Sequence, residues 1–212
     1  MQEVSVIIPN FNGMAYLDGV LAGLECQTVN NFEVILVDNG SSDGSCAFVA
    51  ARYPWVHLIE LPENFGFCKA VNEGIKASRA PYVLLLNNDI EVTENFIEEM
   101  ISAIRRHPKA FSCAARMIQF HDRDKLDDAG NYYCALGWAY ARGKGKDIHT
   151  YEKEEKIFAS CAGAAIYRKK IFDKIGLFDE EHFAYLEDMD VGYRARIHGY
   201  ENWYAPDAMV YH

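Results

Sequence analysis

A chain of 212 residues, half of them hydrophobic, is long enough to bury a sizeable core in one domain and too apolar to be disordered. Its formal net charge of −10 excludes a surface built to neutralise a nucleic-acid backbone, so an anionic ligand needs a metal or local donors. The six cysteines (Cys26, Cys46, Cys68, Cys113, Cys134, Cys161) form no C-x-x-C pair or short framework, which excludes a zinc site and a disulfide scaffold and points to a reducing cytoplasm.

The first residues, Met1-Gln2-Glu3-Val4, carry no basic region followed by an apolar core, and the longest apolar runs suit strands, not membrane spans. Residues 4–8 read as a first strand, closed by Pro9-Asn10-Phe11-Asn12-Gly13. Leu17, Val20, Leu21 and Leu24 follow at helical spacing. A second strand, 32–37, ends in Asp38-Asn39-Gly40-Ser41-Ser42-Asp43-Gly44 and is followed by a helix through 47–50. A third, 56–61, leads through Asn64-Phe65-Gly66-Phe67 to a helix over 69–77.

The fourth, Tyr82-Val83-Leu84-Leu85-Leu86, is continuously apolar, as a strand buried on both faces of a parallel sheet must be, and stops on Asn87-Asn88-Asp89. The repeated strand, polar loop and helix predict a doubly wound α/β unit over 1–108, with its polar loops on one sheet edge, where ligands of such folds bind. Asn87-Asn88-Asp89 reads either as a turn with a helix cap or as a site for a hard divalent cation and its phosphate oxygens. The convergence of loops favours the second.

Phe96, Ile97, Met100, Ile101 and Ile104 share one face of a helix that ends at His107-Pro108. In the second half, 109–212, the pattern predicts a strand over 110–120, a charge-rich loop over 122–128 and a mobile lid or substrate loop from Gly143 to Glu155. A strand over 162–167, a short helix over 169–175 and the turn Gly176-Leu177-Phe178-Asp179 follow. Glu187-Asp188-Met189-Asp190 then opens a helix ending at Gly199. The chain stops on the apolar Ala208-Met209-Val210-Tyr211-His212 with no polar tail, so the expectation is a longer protein with C-terminal helices or a membrane anchor.

Asp38, ending a strand before a Gly/Ser loop, suits a nucleobase imide or ribose hydroxyl, or caps its own loop. No G-x-G-x-x-G or G-x-x-x-x-G-K-[ST] is present, which removes the main support for dinucleotide and P-loop readings. Asn64-x-Gly66 before a helix fits backbone approach to a phosphate or a plain tight turn. Glu187, Asp188 and Asp190 in one helical turn read as N-terminal helix charge or as the setting of a general base. Mutual repulsion would raise a pKa there while the helix dipole lowers it. Beside Asp89, His212 is a candidate second metal ligand, and imidazole suits Mn²⁺ better than Mg²⁺.

Together, Val4-Ser5-Val6-Ile7-Ile8-Pro9-Asn10-Phe11-Asn12, Val37 to Gly44, Asn64-Phe65-Gly66-Phe67 with Asn72-Glu73-Gly74-Ile75, Leu86 to Asp89, and Gly176 to Asp179 with Glu187 to Asp190, Arg194 and Gly199-Tyr200 resemble family 2 glycosyltransferases. The resemblance implies a GT-A fold, a Rossmann-like, mostly parallel sheet flanked by helices with a smaller acceptor-side region, and inverting single-displacement transfer of a sugar from a UDP- or dTDP-linked donor. It places Pro9, Asn10, Phe11, Asn12 and Asp38 at the nucleoside and Asn64, Gly66, Lys69 and Asn72 along the donor. Asn87-Asn88-Asp89 aligns with a D-x-D motif whose first acid is here Asn87. Asp89 and His212 are then the ligands of a divalent metal, Mn²⁺ or Mg²⁺, Asp188 the catalytic base and Glu187 its acceptor-side neighbour. The variants are most similar to rhamnosyl- and galactofuranosyl-type transferases of bacterial surface polysaccharides, which implies a glycan or lipid-linked acceptor and work in the cytoplasm or at the inner membrane face. A sugar nucleotidylyltransferase lacks its Gly-rich basic loop here, and a non-catalytic sugar-nucleotide-binding relative would not need Glu187-Asp188.

Overall fold

A computed structural model describes residues 2–212. The first half alternates strand and helix as the apolar pattern dictates: β1 (Val4–Asn10), α1 (Met14–Glu25), β2 (Phe32–Asp38), α2 (Ser45–Arg52), β3 (His57–Glu60), α3 (Phe67–Ala77) and β4 (Tyr82–Leu86). A short β5 (Glu91–Val92) precedes α4 (Phe96–Arg106). The second half is irregular: β6 (Ala110–Ile118), β7 (Leu126–Asp128), β8 (Asn131–Tyr133), β9 (Ala139–Ala141), β10 (Glu155–Ile157), β11 (Ala164–Arg168), α5 (Phe172–Ile175), α6 (Glu187–Ile197) and β12 (Glu201–Tyr211).

One sheet runs through both halves in the order β10-β12-β6-β11-β4-β1-β2-β3, with β5 added to β12 and β7 to β6. β3, β2, β1 and β4 are mutually parallel, so Asn10, Asp38 and the residues after Leu86 emerge at one edge. β11 is antiparallel to both β4 and β6, while β12 runs parallel to β6. The apolar runs are buried on both faces. Val4, Val6, Ile8, Leu84 and Leu86 pack against α1 and α4 on one side, and Ile7, Ile35, Val37, Val83 and Leu85 pack against α3, α5 and α6 on the other. Leu84, Leu85 and Leu86 are fully buried and each contributes on the order of 2 kcal/mol of hydrophobic stabilisation, which fixes the strand that carries the polar triplet.

Two expectations are corrected. Residues 126–128 of the charge-rich segment are strand, because Met117 and Ile118 pair with Asp128 and Leu126. Residues 143–155 are strapped down: Gly145 donates to the Leu126 carbonyl, Leu126 to Lys146 and Ile148 to Asp124, and Tyr204 Oη donates to the Tyr151 carbonyl. The terminal apolar run closes β12, which ends at Tyr211 and whose Pro206 sits where the register with β6 shifts between Ala205 and Met209, a place that demands no ladder donor. Among the described residues no helix is long and apolar enough to cross a membrane.

Candidate active site

The parallel edge of the sheet holds a cavity of about 280 Å³ lined by Pro9, Asn10, Phe11, Asn39, Asn64, Gly66, Phe67, Asn87, Asn88, Asp89, Phe183 and Ala184. Its wall is a chain of amides. Asn88 Nδ2 donates to Asn10 Oδ1 (2.7 Å), and Asn10 Nδ2 donates to Asp38 Oδ1 (2.9 Å). Asn39, buried at the end of β2, donates to Asn64 Oδ1 and to the Gly66 carbonyl (both 2.9 Å) and accepts from the Phe65 amide, so the β3–α3 loop is folded around it.

Four residues assigned to the donor stand elsewhere. Asp38 lies beneath the cavity, 2% exposed, with its oxygens taken by Asn10 and the Ser41 amide. Asn12, with φ +50°, braces the 41–42 loop through Ser41 and Ser42. Lys69 pairs with Glu73 and Glu180. Asn72 is buried and bonds Phe178 through both its oxygen and its nitrogen, tying α3 to the 178–180 turn. The phosphate cradle expected before α3 is also filled. Phe67 N–H donates to the Phe183 carbonyl (2.8 Å), and a Cβ on Gly66, which has φ +88°, would lie 2.7 Å from that oxygen. Asn39, Phe67, Phe183 and Ala184 are the lining residues that motif reading missed; Asn39 was visible only as part of the Asp-Asn-Gly turn.

Asp89 and His212 meet across the end of the sheet, Oδ1 to Nε2 3.7 Å. His212 is placed there by strand pairing, its N–H donating to the Ile118 carbonyl. Its Nδ1 is 2.9 Å from Asp127 Oδ2, and Asp127 also receives Lys144 Nζ at 3.0 Å. The Asp127 contact raises the His212 pKa and the same contact lowers that of Asp127, with burial opposing both. A carboxylate on one ring nitrogen leaves the other directed at Asp89, the arrangement that orients a metal-binding imidazole. Among the described residues no three His, Cys, Asp or Glu side chains converge as a cage. Asp89 and His212 supply one carboxylate and one imidazole, two donors of the kind that can hold a divalent cation sharing its other positions with phosphate and water.

α6 begins abruptly. Tyr185 (φ +73°) and Leu186 (φ +67°) precede it in the left-handed region, a strained entry that sets Glu187 and Asp188 on the first turn. Asp188 Oδ1 accepts the Met189 amide (2.7 Å) and Oδ2 accepts Asn131 Nδ2 (2.9 Å). Burial, then the neighbouring Glu187, pushes the Asp188 carboxyl up to about 6 against backbone donors that lower it, so desolvation outweighs the helix terminus. Glu187 is 8% exposed, its carboxyl pKa is itself raised by burial, and its Oε2 has no hydrogen-bond partner among the described residues. Asp190 serves structure, receiving Arg194 Nε and Nη2, while Arg194 also reaches the carbonyls of Ile175, Gly176 and Leu177. The Asn87 amide donates to the Gly163 carbonyl, and the adjacent Ala162 amide contributes to the Asp188 environment, which joins the triplet to the α6 carboxylate.

Beside α6 a second cavity, about 590 Å³, is walled by aromatic faces: Tyr133, Trp138, Phe158 and Tyr193, with Leu186 and Met189 beneath. Tyr133 stacks on Phe158 and Phe158 on Tyr193, at centroid distances of 5.4 and 6.0 Å, while Trp138 is 64% exposed. Flat apolar faces with phenolic tips suit a ligand that is apolar in one direction and polar in the other.

Residues 5–176 match glycosyl transferase family 2. The chain belongs to that family. Among curated relatives, the N-acetylglucosaminyl-diphospho-decaprenol L-rhamnosyltransferase of Mycobacterium tuberculosis is 27% identical over 98% of this chain and 75% of its own. An uncharacterized glycosyltransferase of Rickettsia typhi is 28% identical over 90% of this chain and 58% of its own. The fold superposes on residues 1–349 of TarS from S. aureus in complex with UDP, with TM-score 0.75, 19% identity, and coverage of 100% of this chain and 60% of that one. It superposes on GalNAc-T7 with UDP, GalNAc and Mn²⁺ at TM-score 0.82 and 15% identity, covering 100% of this chain and 44% of that one. The architecture is thus GT-A, and this glycosyltransferase spans roughly half of the structures it matches. The family match stops at residue 176, before Glu187, Asp188 and His212, which are placed by the geometry above.

Proposed function

We propose that this glycosyltransferase is an inverting enzyme that moves a sugar from a UDP- or dTDP-linked donor to a glycan or lipid-linked acceptor, with Asp188 as the base. The observation that carries it is a carboxylate pushed up to about 6 and joined through residues 162–163 to the asparagine-lined cavity. A base must be ionised at working pH yet basic enough to take a proton, and that value satisfies both. Residues 1–108 hold the donor and residues 109–212 the acceptor. The aromatic cavity beside α6 supports an acceptor with sugar-ring or polyprenyl character, and the diphospho-decaprenol in the mycobacterial relative's name supports a lipid diphosphate.

Asp188 removes the acceptor hydroxyl proton as that oxygen attacks the anomeric carbon. The bond from that carbon to the diphosphate oxygen breaks on the opposite face, so configuration inverts and the nucleoside diphosphate departs. Pro9, Asn10, Phe11 and Asn39 supply the nucleoside wall, and Asn87 and Asn88 offer amides to the donor. Asp89 and His212 would hold a divalent cation, whose positive charge would offset the charge on the leaving diphosphate. Glu187, with a buried and unpartnered oxygen, is ready to accept from an acceptor hydroxyl.

The test is transfer from a panel of UDP- and dTDP-sugars to polyprenyl-diphosphate sugars, with calorimetric UDP binding run in parallel. Asp188→Asn is expected to lose about 10³-fold or more in kcat and to bind UDP within about twofold of wild type. Retained transfer in that variant removes Asp188 as base.

A further inference from the structure

The turn from Asp128 to Asn131 is held far more tightly than a connector needs. Asp128 Oδ1 accepts the Gly130 amide (2.6 Å). Arg142 donates from Nε to the Ala129 carbonyl (2.8 Å), its amide donates to the Gly130 carbonyl and its own carbonyl accepts the Ala129 amide (both 2.9 Å). That guanidinium is itself fixed, ion-paired with Glu155 and lying over the rings of Tyr132, Tyr151 and Tyr204. Asn131 follows, with its amide on the Ala159 carbonyl (2.9 Å) and its carbonyl accepting the Phe158 and Ala159 amides (3.0 and 3.2 Å). The backbone of Asn131 is therefore immobilised from both sides. Its carboxamide is the part left to do something else, and it ends 2.9 Å from Asp188 Oδ2.

We propose that Asn131 is the positioning residue of this active site: its carboxamide holds the Asp188 carboxylate in one orientation and favours the ionised form that can take a proton. The inference rests on the reading of Asp188 as base. The groups facing Asp188 make such a donor necessary. Glu187 adjoins it on α6, Asp128 approaches from the β7 turn, and Cys161 and Tyr167 feel its charge from the β11 side. Arg142 acts on Asp128 and is spent on Glu155 and Ala129. Among the described residues, Asn131 is the one side chain that donates to Asp188. An N–H aimed at a buried carboxylate opposes the desolvation that would otherwise protonate it.

The experiment needs no substrate. Carboxyl ¹³C NMR follows the Asp188 titration, its signal assigned by loss in Asp188→Asn, in wild type, Asn131→Ala and Asn131→Asp. Removing the donor in Asn131→Ala is expected to raise the midpoint by on the order of one pH unit. Asn131→Asp keeps the shape and replaces the donor with a like charge, so its midpoint should rise further. In the transfer assay, Asn131→Ala should move the acidic limb of kcat upward by the same amount and leave UDP affinity within about twofold. A midpoint unchanged in Asn131→Ala, with or without a lower Tm, gives Asn131 a purely structural role and overturns the proposal. Should Asn131→Ala fail to fold, an unshifted midpoint in Asn131→Asp overturns it equally. Retained transfer in Asp188→Asn would instead remove the base reading, while the NMR arm still reports on the contact.

Discussion

Burial pushes the Asp128 carboxyl up to about 7, even though the Gly130 amide lowers it, and the charges of Asp188 and Asp127 add to the rise while Arg142 opposes it. At 4% exposed it is among the most deeply buried acids in the chain, and nothing in Lys125-Leu126-Asp127-Asp128 marks it apart from its neighbour. Unfolded, an aspartate ionises near pH 3.9, so between about pH 4 and 7 the folded state holds a proton that the unfolded chain has lost. Stability therefore declines as pH rises through that window, and the cost is complete above it. Asp128→Asn keeps Oδ1 as acceptor for Gly130 and has no charge to bury. Its melting temperature should match wild type near pH 4, pull ahead as pH rises to about 7, and hold a constant lead of several degrees beyond, a gap of a few kcal/mol. A lead that is the same at every pH would mean Asp128 does not titrate in that range.

α6 carries Asp188, the proposed base, and its seat depends on Gly192. A Cβ there would lie 2.5 Å from Ala159 Cβ and 3.0 Å from its Cα, and Asn202 Nδ2 bridges the Gly192 and Phe158 carbonyls at 3.2 and 2.6 Å. Helix propensity alone would favour alanine by about 1 kcal/mol. Overpacking costs about 1–3 kcal/mol and wins, because the obstacle includes backbone. Since Ala159 also pairs with Asn131, Gly192→Ala should lower both the melting temperature and kcat, with UDP affinity retained. An unchanged melting temperature would show that α6 slides freely on residues 158–159. β1, β2 and β4 were legible because a strand buried on both faces carries a continuous apolar run, Val6 to Ile8, Val34 to Val37 and Val83 to Leu86, and α4 because its stripe is unbroken. β12 was not, since Glu201, Asn202, Pro206 and Asp207 interrupt it and its long pairing with β6 tolerates a bulge. β7 to β10 are three residues each, too short for any periodicity. At the site, motif position gave the cavity wall but not side-chain direction. Asn72 and Lys69 lie in the same motif as Gly66, yet bond the 178–180 segment instead of facing the cavity.

On the proposed function, a molecule with net charge −10 that takes a nucleoside diphosphate must overcome its own field. The donor cavity has amides, aromatic rings, backbone and Asp89 in its wall, and no lysine or arginine. Lys69, the nearest cation by motif position, pairs with Glu73 and Glu180. Neutral amide donors align a diphosphate without neutralising it, and Asp89 repels it unless a cation intervenes. The Asp89–His212 pair, with Asp127 behind the imidazole, is the proposed place for that cation. UDP binding measured by calorimetry should therefore weaken by about two orders of magnitude or more when Mn²⁺ or Mg²⁺ is replaced by chelator. Raising ionic strength in chelator should tighten the residual binding, because screening weakens a net repulsion. Asp89→Ala should abolish the difference between metal and chelator. Micromolar UDP affinity in chelator, falling as salt is added, would mean that a cation of the chain reaches the diphosphate and that the amide wall is not what holds it.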